Sequence, residues 1–393
     1  MDEGRRLRVA AVQAAPVFLD AEATVDKAVG LIERVAEGGA ELVAFGEGFL
    51  PGHPIWLHVV PVTSSAQIRF AERLVRAAVT IPGPAVERLA AAARRTGVGV
   101  VVGVVERLGS GSALASAAVV LTADGRVSAR RKLVPAVGER VLFTPGGGDS
   151  IRIFEARWGR LAVLLGGESS NPLLTWTLRE LGAHVIVAAW PPHFNKPGVM
   201  GDVASITGRA IAYQNGAYVV SVFGATDEAT RAEIAPDGEA QRLLEVMAAD
   251  PGTTVYAPRG ALAAGPLPGG EGILFADLDL EAGVWARLVG RHYDRPDLFR
   301  VTVDRRPSPS ALAADEGAAP GTHDLFAGGS ADLAARARNL IAERYGDRLD
   351  PSDAERLVPF VVSVLETSER LSELELTSFD PLATTYVEDP RAG

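Results

Sequence analysis

From residue 7 to about residue 300 the chain alternates short, nearly unbroken apolar runs with stretches whose apolar residues recur at helical spacing. A strand buried on both faces has no polar side to show, so it reads as a continuous apolar run, and the helices between such strands cover the sheet. The rhythm restricts the chain to the α/β class. Leu7 to Gln13 and Leu42 to Phe45 are predicted strands flanking a helix over Ala21 to Glu37. Val98 to Val105 and Ala117 to Leu121 are two more, and Asp124-Gly125 supplies a turn into Val127 to Lys132. Leu161 to Leu165, a helix over Leu173 to Leu181 and a strand over Val185 to Ala189 form one unit, followed by strands at Ala217 to Phe223 and Gly272 to Leu280.

After Pro307 the composition turns to Ser, Ala, Gly, Pro and Asp before helical patterns return at Ala331 to Tyr345 and Ala354 to Leu371. The expected organisation is one domain over 1–307 and a linker with a helical extension over 308–393, whose apolar stripes need a surface to pack on. A net charge of −10 over 393 residues argues against nucleic acid and anionic membranes, which select basic patches. The chain start leads directly into a strand-like run and no apolar run reaches membrane-spanning length, so a cytoplasmic protein with small-molecule partners is expected.

Cysteine is absent, which removes disulfides, thiolate metal sites and thiol nucleophiles together. The six histidines, His53, His58, His184, His193, His292 and His323, show no ligand spacing beside carboxylates, so neither a metal nor another cofactor is expected. Lysine occurs only as Lys27, Lys132 and Lys196, which singles out Lys132 at the end of an apolar strand. Four segments have the residue types for chemistry. Glu47 follows a buried strand and precedes a Gly/Pro-rich turn, where α/β sheets present catalytic groups. Lys132 supplies a fixed positive charge for a developing anion, and Glu139 follows closely in Gly138-Glu139-Arg140. Leu161 to Leu165 runs into Gly166-Gly167-Glu168-Ser169-Ser170-Asn171-Pro172, an apolar strand ending in a tight turn before a helix, as in a nucleophile elbow. Taken singly, each has a plain alternative: a solvated loop glutamate, a basic edge strand, an Arg140 salt bridge, an ordinary strand-to-helix connection.

In combination and order these segments resemble the nitrilase (carbon–nitrogen hydrolase) superfamily from residue 7 to about residue 305. The resemblance rests on Glu47-Gly48-Phe49-Leu50-Pro51-Gly52-His53-Pro54, Arg131-Lys132-Leu133-Val134-Pro135 with Gly138-Glu139-Arg140, Gly166 to Pro172, and Trp190-Pro191-Pro192-His193. Gly272 to Leu280, His292 to Asp297 and Leu50 to Trp56 are closer to the nitrile-hydrolysing branch than to the amidases. The resemblance implies a four-layer αββα sandwich that pairs into a homodimer or larger homo-oligomer. It also implies Glu47 as general base, Lys132 as the cation facing an oxyanion, Glu139 as the acid that positions substrate and lysine, and the Gly167 N–H in the oxyanion hole. Glu168, Trp56, Trp190 and His193 fall at its substrate-binding positions.

The nucleophile departs from the pattern, because the family's cysteine position is Gly166. A covalent intermediate requires an attacking side chain, and losing one costs orders of magnitude in rate. Ser169 and Ser170 fall beyond the elbow. Engineered inactivation, a pseudoenzyme that binds a ligand or partner protein, and a repurposed enzyme using non-covalent acid–base chemistry on a nitrile or amide all fit Gly166. Ala136 and Thr175, where the closest motifs carry Thr and Arg, place it among other departures and favour natural divergence.

Overall fold

The computed structural model describes residues 6–109, 111–136, 138–192, 200–249, 252–291, 298, 299, 301–307 and 333–345, with scattered positions between 354 and 365. In chain order the elements are β1 (Arg6–Gln13), α1 (Ala21–Glu37), β2 (Leu42–Phe45), α2 (Ser65–Ala77), α3 (Pro84–Thr96), β3 (Gly99–Arg107), β4 (Leu114–Leu121) and β5 (Val127–Arg131). There follow β6 (Phe154–Ala156), β7 (Gly159–Leu165), α4 (Pro172–Glu180), β8 (Val185–Trp190), α5 (Met200–Asn215), β9 (Tyr218–Phe223), α6 (Glu228–Ile234) and α7 (Gly238–Ala249). The rest are β10 (Thr254–Tyr256), β11 (Leu262–Ala264), β12 (Gly272–Asp279), α8 (Ala282–Arg291) and α9 (Leu333–Tyr345).

Two six-stranded sheets form, in the orders β12-β1-β2-β3-β4-β5 and β11-β10-β9-β8-β7-β6. The centre of each is parallel, β1 with β2 and β3 in one and β7 with β8 and β9 in the other, and the outer pairs are antiparallel. Alternate residues of a strand face opposite ways. Leu7, Val9 and Ala11 of β1 therefore point between the sheets, into one apolar core with Tyr218, Val220 and Val222 of β9, the strand packed opposite β1. Ala10 and Val12 face α1 and α3 on the outside, and Ala162 and Leu164 face α4 and α5 on the other outside. The result is the four-layer αββα sandwich expected, and the burial of both faces of β1 and β7 explains their unbroken apolar runs.

Helix α1 begins on Asp20, whose side chain accepts the Ala23 N–H, and α4 on Asn171, which accepts from Leu173 and Leu174. The expected strands and helices up to β12 are present with ends shifted by a few residues, and the helix expected over Ala354 to Leu371 lies largely outside the described residues. The short strands β6, β10 and β11 and the helices α2, α3 and α5 to α8 are additions that the apolar alternation does not single out. In the C-terminal part, α9 matches the expected helix. Ala337 and Ile341 on it pack against Val358, one of the helical positions between 354 and 365. Among the described residues no helix is long and apolar enough to cross a membrane.

Candidate active site

Glu47 stands two residues beyond the end of β2. Its N–H donates to the Trp190 carbonyl at the end of β8, 3.0 Å away, so the two sheets are tied where their parallel strands end. Gly103 of β3 makes this passage possible: a Cβ there would lie 2.3 Å from the Gly46 carbonyl oxygen and 2.6 Å from the Glu47 Cα. Lys132 follows β5, fixed through its N–H to the Ser116 carbonyl at 2.7 Å, and Glu139 lies in a single turn of 3₁₀ helix. The three side chains converge. Lys132 Nζ donates to Glu47 Oε1 at 2.8 Å and to Glu139 Oε1 and Oε2 at 3.0 and 2.7 Å. Glu47 is 0% exposed, Lys132 1% and Glu139 4%, so the charges interact in a low-dielectric interior.

Burial decides how these groups hold their protons. Desolvation outweighs the attraction of Lys132 at Glu47, aided by repulsion from Glu139, and pushes its carboxyl up to about 7. Burial alone would drive the Lys132 ammonium towards neutrality, but Glu47 and Glu139 together reverse this and hold it firmly charged. At Glu139 the penalty of burial is overcome by Lys132, His53 and the Ala136 N–H, 2.6 Å from Oε2, and its carboxyl is held below the usual range. Ala136 thus keeps Glu139 in place through its backbone, whatever its side chain.

At the far end of β7 the chain turns at Gly166 with φ of +51°, a left-handed conformation that side-chain-bearing residues adopt only at a cost. A Cβ on Gly166 would lie 2.6 Å from Glu47 Oε2, 3.3 Å from Lys132 Nζ and 3.7 Å from Pro191 Cδ. The elbow therefore aims its missing side chain at the base and the cation. Glu47 Oε2, buried and without a hydrogen-bond partner, faces that place.

Glu168 does something other than line a pocket. Its Oε1 accepts from Arg130 at 2.7 Å and from the Leu133 N–H at 2.6 Å, and Oε2 accepts from the Leu165 N–H at 2.9 Å. Arg130 also donates to the Val163 carbonyl at 2.6 Å. This buried buckle joins the elbow to the segment carrying Lys132. Gly167 is partly exposed beside Gly166. Trp190 is 1% exposed and stacks on Phe223 with centroids 5.7 Å apart. Trp56 is fully buried, stacked on Phe70 at 5.3 Å and edge-on to Phe18 at 5.9 Å, in an apolar cluster. His193 lies outside the described residues.

Three contributors escape sequence reasoning. Ser116 donates to Glu47 Oε1 at 2.7 Å, and its signal is a lone hydroxyl inside the apolar run Leu114 to Leu121. Arg130 hides in a basic triplet. His53, 5% exposed, places Nε2 3.7 Å from Glu139 Oε1, and its signal is its position in the same Gly/Pro turn as Glu47. One nitrogen of His53 and one oxygen each of Glu47 and Glu139 lie within 4.8 Å of one another, the spacing of a cation site. The Lys132 ammonium already supplies the positive charge there.

Residues 8–287 match the family model described as carbon–nitrogen hydrolase. The chain is 34% identical over 321 residues to a protein named nitrilase 2 from an unknown prokaryotic organism, covering 80% of this chain and 98% of that one. It is 37% identical over 311 residues to an aliphatic nitrilase of Rhodococcus rhodochrous, covering 76% and 83%. Its fold resembles a carbon–nitrogen hydrolase from Helicobacter pylori G27, with a TM-score of 0.60 at 17% identity over 75% of this chain and 97% of that one. Sequence, architecture and the buried Glu–Lys–Glu cluster agree that the chain belongs to the carbon–nitrogen hydrolase family.

Proposed function

We propose that the chain adds water across the carbon–nitrogen bond of a small nitrile by acid–base chemistry, without a covalent enzyme intermediate. The observation that carries this reading is Glu47 Oε2, buried, unpartnered and facing the side-chain-free elbow at Gly166. Water seated there loses a proton to Oε2 while its oxygen bonds to the nitrile carbon. The electron pair of one C–N π bond moves to nitrogen, stabilised by Lys132 and the Gly167 N–H. Nitrogen then takes back the proton held by Glu47, and the imidic acid tautomerises to the amide. A nitrile suits this route better than an amide, because no leaving group has to depart. The route needs a charged Lys132 and an ionised Glu47, and a carboxyl pushed up to about 7 can both take the proton and return it near neutral pH.

The test compares the native chain with Glu47→Gln and Gly166→Cys on aliphatic and aromatic nitriles, with amide, acid and ammonia quantified. The native chain is expected to release amide slowly, and Glu47→Gln to lose about 10²–10⁴-fold in rate as a general base is removed. Gly166→Cys is expected to turn over faster and release acid and ammonia, because a thiol permits a covalent intermediate. No turnover by the native chain, with nitriles binding equally to Glu47→Gln, would make it a binding protein.

The same reading includes a cytoplasmic homodimer. Its support is apolar side chains left in water on adjoining helices: Leu173 on α4, Ile206 and Tyr213 on α5, Trp285 and Leu288 on α8, each more than 60% exposed.

A further inference from the structure

The buried cluster has an unbalanced charge. Lys132 contributes one positive charge and Glu47 and Glu139 two negative ones, all within hydrogen-bond distance of the ammonium. With a neutral His53 the cluster carries one net negative charge in a desolvated interior, which attracts a proton. Two seats are available for it, Glu47 and the His53 imidazole, with one atom of each within 4.8 Å of the other.

We propose that His53 is the fourth ionisable member of the site, a positioning residue that shares one proton with Glu47 and, by holding it, leaves Glu47 a carboxylate. The surrounding groups support this. Glu139 lies 3.7 Å from Nε2 and stabilises a charged imidazole, whereas Lys132 is saturated by both carboxylates. The Ser116 hydroxyl donates to Glu47 and is neutral. Burial of the His58 imidazole outweighs the pull of Glu139 and favours its neutral form, and Arg140 is engaged with the Pro135 carbonyl. Among the described residues the charge balance around Glu47 therefore turns on His53. The role in catalysis rests on the nitrile-hydrating reading above; the shared proton does not.

The experiment follows histidine and carboxyl signals by NMR against pH on the full chain labelled with ¹³C-histidine and ¹³C-glutamate. The His53 signal is identified by its loss in His53→Gln or His53→Asn, and the Glu47 signal by its loss in Glu47→Gln. Glu47→Gln removes a negative charge beside His53. It is expected to lower the His53 midpoint by about one pH unit or more, the coupling of sites that titrate together. Replacing His53 removes the alternative seat and is expected to raise the Glu47 midpoint. A His53 midpoint unchanged in Glu47→Gln overturns the proposal, and this arm decides even if one His53 variant does not fold. In nitrile assays the rising limb of the pH profile should move to higher pH in the His53 variant. If no variant turns over nitriles, the functional reading fails and the titrations alone decide His53.

Discussion

Glu47 ends in an oxygen that is buried and has no hydrogen-bond partner, and that oxygen shapes the pH behaviour of the whole protein. An unfolded glutamate loses its proton near 4.5, whereas in the fold Glu47 keeps it to about 7. The native state therefore binds a proton that the unfolded chain has released. The stabilisation from this group is complete below pH 4.5 and is lost as pH rises through 7. Glu139 runs the other way: held below the usual range, it stabilises at higher pH and loses that contribution as pH falls. Glu47→Gln removes only the first effect. Its stability relative to the native chain is expected to improve between pH 5 and pH 8 by on the order of 1–3 kcal/mol. Urea unfolding of both proteins at the two pH values measures this, and a constant difference would contradict it. The oxygen itself was not legible in the sequence, which presents Glu47 equally well as a loop residue.

At the scale of elements, the decisive device is the buckle between β5 and the elbow after β7. Strand pleating sends Arg130 and Lys132 to one side and Arg131 to the other, where it meets Glu106 at 2.8 Å. The triplet thus divides by alternation: Arg130 bridges the sheets to Glu168 and the Val163 carbonyl, and Lys132 enters the site. Arg130→Met leaves Glu168 charged and buried without its guanidinium. It is expected to cost about 3–5 kcal/mol and to loosen Lys132. Combining Arg130→Met with Glu168→Met should recover part of that loss. Chemical denaturation of single and double variants checks both, and a loss below about 1 kcal/mol in Arg130→Met would deny the buckle a structural role. The resemblance puts Glu168 at a substrate-binding position. That both its oxygens are occupied follows from where β5 and β7 meet, which one-dimensional patterning does not contain.

At the scale of the whole molecule, the helical layer of α4, α5 and α8 leaves a group of large apolar side chains in water. Ile206 and Trp285 are 64% and 62% exposed. Paired with a second copy, this layer would extend the sandwich; unpaired, it is a liability for solubility. Ile206→Asp combined with Trp285→Asp is expected to yield a monomer in sedimentation velocity, with the far-ultraviolet circular dichroism of the parent. A native chain that sediments as a monomer would refute the dimer.

What the sequence determined by itself was the layer plan and a set of candidates for the site. Unbroken apolar runs with helical spacing between them admit few architectures, and Glu47, Lys132, Glu139 and Gly166 stand in one recognisable order. Cysteine's absence was equally plain. Only the tertiary structure decided that Glu47 faces Gly166 with a free oxygen, that Ser116 and His53 join it, and that Trp56 belongs to an apolar cluster. The reason is physical. Periodicity and propensity are local properties of a chain, whereas proton affinity and hydrogen-bond occupancy depend on desolvation by residues tens to more than a hundred positions away.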